Sequence, residues 1–260
     1  MEKTGEIRIG TSGYSFEDWK SNFYPEKIEK GKMLDHYVKF FNTVEINSTY
    51  YRIPHPSVMY NMVKKAPDGF DFIIKVPQAM THRRTDLEQD VNAFNEAIRP
   101  VKEAGKLSGL LAQFPYSFRF NEDHLDYLKL CRDAIAPEKL FVEFRHSGWV
   151  NRRMYDVLCA ERIGYVAVDE PQLPNLLKPD CFATTDTGYI RLHGRNKEHW
   201  WGKDASLRYD YDYSKEELEM WQDKTVKLIG KVKKVYIFFN NCHHGQAAKN
   251  ALYFKERLGL

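Results

Sequence analysis

Arg191 and His193 stand two residues apart in YIRLHGR (189–195), and Glu143 and Arg145 repeat that spacing in FVEFRHSGW (141–149). A period of two puts both members of each pair on one face of a β-strand. An imidazole titrates near neutrality, so His193 is a candidate general acid or base. Carboxylates at Glu45, Glu143 and Asp169 are candidates for sharing that proton transfer. A guanidinium presents a planar fork to carboxylate or phosphate, so Arg145, Arg191 and Arg195 are read as binders of an anionic or polyhydroxylated ligand. Lys75, Asn47, Gln113 and Asn240 hold comparable places in other strand-like runs and complete a polar, ligand-binding set.

Aromatic residues gather where they could cover such a site. The stretch 194–214 carries Trp200, Trp201, Tyr209, Tyr211 and Tyr213, with Lys197 and Lys203 nearby. These rings either stack on a sugar or base, or pack on one another as a structured lid. Tyr14, Trp19, Tyr50 and Tyr51 could complete the cover. The helix expected to start near Gly245 offers its first amides, at His244 and Gly245, to a phosphate, with Arg195 beside it. Ser12, Ser48 and Ser147 lie near strand ends, but none sits in a G-x-S-x-G elbow, so serine hydrolase chemistry has little support.

The elements that must position these residues alternate. Strand-like runs fall at 7–13, 43–49, 71–77, 107–115, 140–149, 165–171, 188–194 and 234–241. Amphipathic stretches lie between them: Val91, Phe94, Ile98 and Val101 follow helical spacing, as do Leu125, Leu128, Cys131 and Ile135, and Ala247, Ala251, Phe254 and Leu258. Asp86 before Gln89, and Ser214 before Glu217, are helix-start signals. Strand–helix alternation with eight strands predicts a single (β/α)8 TIM-like barrel of parallel strands across residues 1–260. A doubly wound open sheet is the runner-up, but IGTSGYS after the first strand is no G-x-G-x-x-G fingerprint. One crossover is expected to be irregular. Residues 171–187 hold three prolines and no helical pattern.

The strands are not continuous apolar runs. In the second to the eighth, one face is apolar and the other turns polar toward the C-terminal half, which a barrel would point into its upper lumen. The bland reading is a structural lattice in which Lys75, Arg145 and Arg191 neutralise Glu45, Glu143 and Asp169. The functional reading is a ligand site at the mouth. A third assigns Glu45, Glu143, Asp169 and His193 to a divalent metal, as in barrels that isomerise sugars or cleave abasic DNA. Against it, each carboxylate has a basic neighbour competing for its lone pairs. Cys242-His243-His244 also crowds possible ligands, although adjacent residues rarely converge on one ion. No motif indicates a cofactor, and no metal is expected.

Composition narrows the class. The 260 residues are 43% hydrophobic and 29% charged, with 39 Lys+Arg against 36 Asp+Glu. That balance disfavours a nucleic-acid coat, so nucleic acid is possible as a partner but not favoured. No apolar run is long enough to span a membrane, the N-terminus lacks a signal-type core, and four cysteines without C-x-x-C spacing read as reduced thiols. A cytoplasmic location follows as an expectation. The oligomeric state is left open.

The segments VEINSTYYR (44–52), FVEFRHSGW (141–149), YIRLHGR (189–195) and VYIFFNN (235–241) resemble the signatures of the domain of unknown function 72 family, the YecE-like proteins. The opening IGTSGYSFEDWKSNFYP and closing GQAAKNAL extend the resemblance over nearly the whole chain. It implies a TIM-barrel fold and carries no activity with it. Cys242 follows the paired asparagines where the family often has an acidic residue, which weakens a metal at that position. The expectation is a barrel enzyme or binding protein with an Arg-rich mouth for an anionic, phosphorylated or sugar-like small molecule.

Overall fold

Runs rich in Val, Ile and Phe form eight parallel strands: β1 (Glu6–Thr11), β2 (Thr43–Ile46), β3 (Asp71–Lys75), β4 (Leu107–Gln113), β5 (Leu140–Glu143), β6 (Gly164–Asp169), β7 (Thr187–Leu192) and β8 (Lys234–Phe239). The computed structural model describes residues 5–84, 87–202 and 205–260, so Asp86 and Lys203 lie outside the described residues. The strands pair in the order β1-β8-β7-β6-β5-β4-β3-β2. A parallel bridge between Ser12 and Glu45 joins the two ends into a barrel, with the Gly13 amide donating to the Glu45 carbonyl at 2.8 Å.

That joint is unusual. Beside the bridge, the Thr11 amide donates to the Tyr37 hydroxyl at 2.9 Å, and this hydroxyl donates in turn to the Thr43 carbonyl at 3.1 Å. A phenol thus replaces a rung of the backbone ladder. Gly10 permits the approach, because a Cβ there would sit 2.3 Å from the Thr43 oxygen.

The helices cover the ring in chain order: α1 (Met33–Tyr37), α2 (Ser48–Tyr51), α3 (Pro56–Lys65), α4 (Leu87–Glu103), α5 (Glu122–Ala134), α6 (Arg152–Ala160), α7 (Ala205–Arg208), α8 (Lys215–Ile229) and α9 (Gln246–Arg257). Side chains set several starts. Asn121 and Asn151 accept from the amides of His124 and Met154, and Ser214 with Glu217 forms a complete capping box. Val91, Phe94, Ile98 and Val101 are buried in α4, as the spacing predicts, and so are Leu125, Leu128 and Cys131 in α5. The β6–β7 connection contains no helix, in line with its prolines. No helix among the described residues is long and apolar enough to cross a membrane.

Inside the barrel, polarity changes with depth. At the N-terminal end Asp71 accepts from Lys234 and from the Tyr236 hydroxyl. The middle is aromatic: the Phe141, Tyr189 and Phe238 rings lie 4.9 and 5.3 Å apart in succession. Gly109 and Gly164 flank Phe141, and a Cβ on either would fall within 2.5 Å of its ring. The charged residues stand above this plug.

Candidate functional site

The charged end of the lumen has two levels, and the deeper is organised by Arg191, which is 1% exposed. From β7 its Nη1 donates to Glu143 Oε2 at 2.5 Å and its Nη2 to Glu45 Oε1 at 2.7 Å. Asn47 Nδ2 also donates to Glu45 Oε1, at 2.9 Å, and the Tyr189 hydroxyl donates to Glu45 Oε2. Arg145 Nη2 reaches Glu143 Oε1 at 2.8 Å. Burial pushes the Glu143 carboxyl up, but Arg145, Arg191 and His193 outweigh it and hold the group well below the usual carboxylate range. Both carboxylates are thus ion-paired with the protein's own guanidiniums. Of the residues named for a structural lattice, Arg145, Arg191, Glu45 and Glu143 come together here, whereas Lys75 pairs with no carboxylate among the described residues and Asp169 is held by Arg195.

His193 belongs to the same level and is fully buried. Asn240 Nδ2 lies 2.9 Å from its Nδ1, and an amide N–H donates there only to an unprotonated nitrogen. The ring proton is then on Nε2, 3.2 Å from Glu143 Oε1. Burial drives the imidazole pKa down to about 3, so His193 is uncharged at neutral pH. It is not among the described residues of the cavity wall, and neither its Nε2 nor Glu143 Oε1 makes a well-aligned hydrogen bond to a described residue.

The upper level opens to solvent. Gln113, Arg145, Trp200, Trp201 and Arg208 line a cavity of about 190 Å³, with His82, Tyr116 and Leu176 at its sides. Four of these were predicted. Both guanidiniums lie over the Trp200 ring, each 5.7 Å from its centre. Trp200 is 3% exposed and packs as part of the wall, whereas Trp201 is 57% exposed at the rim, 5.1 Å from the Tyr116 ring. In the aromatic stretch 194–214 Trp200 and Tyr213 are therefore packed, as a structured lid requires, while Trp201 stays exposed at the opening. Burial pushes the His82 imidazole down to about 4. Arg208 Nε is buried without a hydrogen-bond partner among the described residues.

Lys75 lies at the end of β3, 9% exposed, and donates to Gln113 Oε1 at 2.8 Å with its ammonium 4.4 Å from the centre of the Tyr50 ring. Burial, with Arg191 nearby, lowers its pKa to about 7. Glu170 is the carboxylate that residue patterns missed. It accepts from Arg145 Nη1 at 3.2 Å and from the Leu177 amide at 2.9 Å, and burial raises its pKa to about 7.

Asp169 is the corresponding correction. In register it pairs with Leu192 and, through it, with Phe239, whose ring packs on Phe254 of α9, so these side chains face the helices. Its carboxylate is gripped from outside the lumen by Arg195, at 2.8 and 2.9 Å, and by the Tyr213 hydroxyl at 2.7 Å. Val166 and Val168 face inward instead, and Glu170 continues their parity. Arg195 does not join Arg191 and His193 either. Gly194, at φ +89, breaks the alternation and sends Arg195 out to Asp169 and Glu217.

Other expectations land elsewhere. The His244 amide, proposed for a phosphate, already donates to Asp18 Oδ2 at 2.7 Å. Tyr14 packs against Tyr37, and Trp19 is wholly buried, donating to the Cys242 carbonyl. Cys242 and His243 diverge: the thiol approaches the Ser12 carbonyl, and the imidazole lies 3.1 Å from Asp210. Among the described residues no group of three His, Cys, Asp or Glu side chains is placed to hold a metal ion. A wider cavity of about 420 Å³ opens near the N-terminal ends of β5 and β6, beside Arg132, Lys139 and Arg162. Barrel strands present reactive groups at their other ends.

Comparison with known proteins agrees with this architecture. The family described as "Protein of unknown function DUF72" matches residues 8–260. UPF0759 protein YunF of Bacillus subtilis (strain 168) is 31% identical, over 98% of this chain and 95% of its own. A DUF72 family protein of Thermotoga maritima MSB8 superimposes with a TM-score of 0.91 at 41% identity, covering 98% of this chain and 100% of that one. Another, from Enterococcus faecalis V583, gives 0.88 at 28% identity, covering 98% and 96%. With its barrel and nearly its full length matched, the chain belongs to the DUF72 family.

Proposed function

We propose that the protein is an enzyme that binds a small anionic molecule bearing a ring, such as a phosphorylated or carboxylated sugar, in the cavity at the C-terminal mouth. The observation carrying this reading is the composition of the wall: two guanidiniums and two indoles, with no carboxylate among its described lining residues. Arginine forks suit phosphate or carboxylate, and the indole at the rim suits the face of a ring. Glu143 and Glu170 hold Arg145 from behind, which fixes its direction before a ligand arrives. Lys75 and Glu170, both with pKa values moved to about 7, supply groups able to exchange protons at neutral pH. Four unpaired cysteines support a reducing compartment, and we place the protein in the cytoplasm.

Thermal unfolding with added inorganic phosphate and with ribose phosphate tests the reading. Both are expected to raise Tm with concentration, as ligands of the folded state do. Arg208→Gln should weaken both by about tenfold, the scale of one hydrogen bond to a charged group. Trp201→Ala should weaken ribose phosphate alone. If no anion stabilises the protein, the reading is wrong.

A further inference from the structure

The lumen holds three buried cations at its mouth, and the carboxylates are divided unequally among them. Arg191 has Glu45 and Glu143, and Arg145 has Glu143 and Glu170. Lys75 has none within ion-pair distance among the described residues. Its partners are a neutral amide oxygen, Gln113 Oε1, and the face of Tyr50. The charged and titratable groups around it are Arg191 from β7, Glu143 and Arg145 from β5 and its extension, Glu45 from β2, His82 from the turn after β3, and Tyr50 from α2. Two of these are permanent cations, and the carboxylates are already paired with them. A primary amine kept dry in such company is stabilised as the free base.

Position adds to this. Lys75 stands at the C-terminal end of a barrel strand, and its one hydrogen-bond acceptor among the described residues, Gln113, is part of the cavity wall. Lys75 itself is not among the described lining residues, so a ligand in the cavity would reach the amine by displacing the Gln113 amide, with its anionic group toward Arg145 and Arg208.

We propose that Lys75 is the nucleophile of this site and forms an imine with the carbonyl carbon of an anionic aldehyde or ketone. The inference rests on the mouth cavity being the ligand site. In the first step the nitrogen lone pair bonds to the carbonyl carbon, the C=O π pair moves to oxygen, and one amine proton follows it, giving a carbinolamine. In the second the C–O bond breaks, the nitrogen lone pair closes the C=N bond, and the other amine proton leaves with the hydroxyl as water. Amine plus carbonyl thus become imine plus water, and no oxidant or metal is consumed. Deprotonation beside the imine carbon would then be eased, which is the use such adducts have in carbon–carbon bond cleavage or isomerisation.

The test traps the adduct in the intact wild-type protein. Glyoxylate, a small anionic aldehyde, is added at pH 7 with borohydride, which reduces the imine to a stable secondary amine, and modified lysines are located by peptide mass spectrometry. An exposed lysine such as Lys233, 82% exposed, serves as internal reference. At pH 7 an amine titrating near 7 has on the order of a thousandfold more free base than an ordinary lysine near 10.4. Lys75 should therefore label at least about tenfold faster than Lys233, with a rate that rises with pH to a plateau above 7. Labelling no faster than at Lys233 overturns the proposal. Inorganic phosphate should protect Lys75 and leave Lys233 unaffected. If phosphate stabilises the fold but Lys75 stays unlabelled, the nucleophile falls and the anion site stands. Fast labelling that phosphate does not slow keeps the nucleophile and removes the anion site. Lys75→Met must lose the fast adduct, and its persistence on another residue would also overturn the assignment.

Discussion

Glu143 and Glu170 share a partner, Arg145, and titrate in opposite directions. Glu143 has two guanidiniums and an imidazole around it, enough to outweigh its burial. Glu170 has one guanidinium and one backbone amide, and burial wins, taking it to about 7. A carboxyl whose folded pKa is raised contributes stability below its ordinary value of 4.5 and loses that contribution as pH rises through about 7. Glu170→Gln keeps an acceptor for the Leu177 amide without the charge. Measured by urea unfolding across the pH range, the variant should gain on wild type between pH 4.5 and about 7, by up to about 3 kcal/mol. A difference that stays constant with pH would show that the charge is not what burial penalises. The arginine–glutamate lattice was legible in the sequence because period-two spacing placed Glu45, Glu143 and Arg191 on one side. Glu170 was not, because Asp169 and Glu170 are adjacent and the residues before them, Val166, Ala167 and Val168, are all apolar. Nothing in that run says which acid faces in.

Strand starts were readable to within a residue, whereas strand ends were not. β5 ends at Glu143 rather than near Trp149, and β2 at Ile46 rather than Thr49. Hydrophobic alternation persists beyond the point where pairing stops, because the residues at the mouth stay buried after the chain has left the ladder. The loop after β7 shows how such an exit is made. Gly194 has φ +89, its amide donates to the Tyr213 hydroxyl at 2.8 Å, and a Cβ there would sit 2.6 Å from Tyr211 Cβ. Gly194→Ala meets both a left-handed backbone and a steric clash, so it should cost about 1–3 kcal/mol in thermal unfolding. It should also loosen the turn that sends Arg195 to Asp169 and brings Trp200 and Trp201 over the cavity. Phosphate binding weakened more than in proportion to lost stability would confirm that coupling, whereas unchanged stability would refute the strain.

Over the whole molecule, 39 basic and 36 acidic residues nearly cancel, and the interior shows part of how. Opposite charges meet at both ends of the lumen, around Asp71 below and Arg191 above, with an aromatic plug between them. The fold was recoverable because its signal is repeated eight times; the joint between the first and second strands was not, because it depends on one side chain from α1. Tyr37→Phe removes the hydroxyl and leaves the Thr11 amide and Thr43 carbonyl without their partner, a loss of about 1–3 kcal/mol. Amide hydrogen exchange should show Thr11 accelerated while the β7–β8 ladder is unchanged; equal protection in both proteins would show that the phenol is dispensable. A ring with one such joint has a preferred place to part. The next contact along it is the Ser12–Glu45 bridge, and Glu45 is one of the two carboxylates on Arg191. Breathing at the Tyr37 joint would therefore reach the deep charge lattice through Glu45, a second way in besides the mouth, at a position that faces neither the cavity nor the solvent.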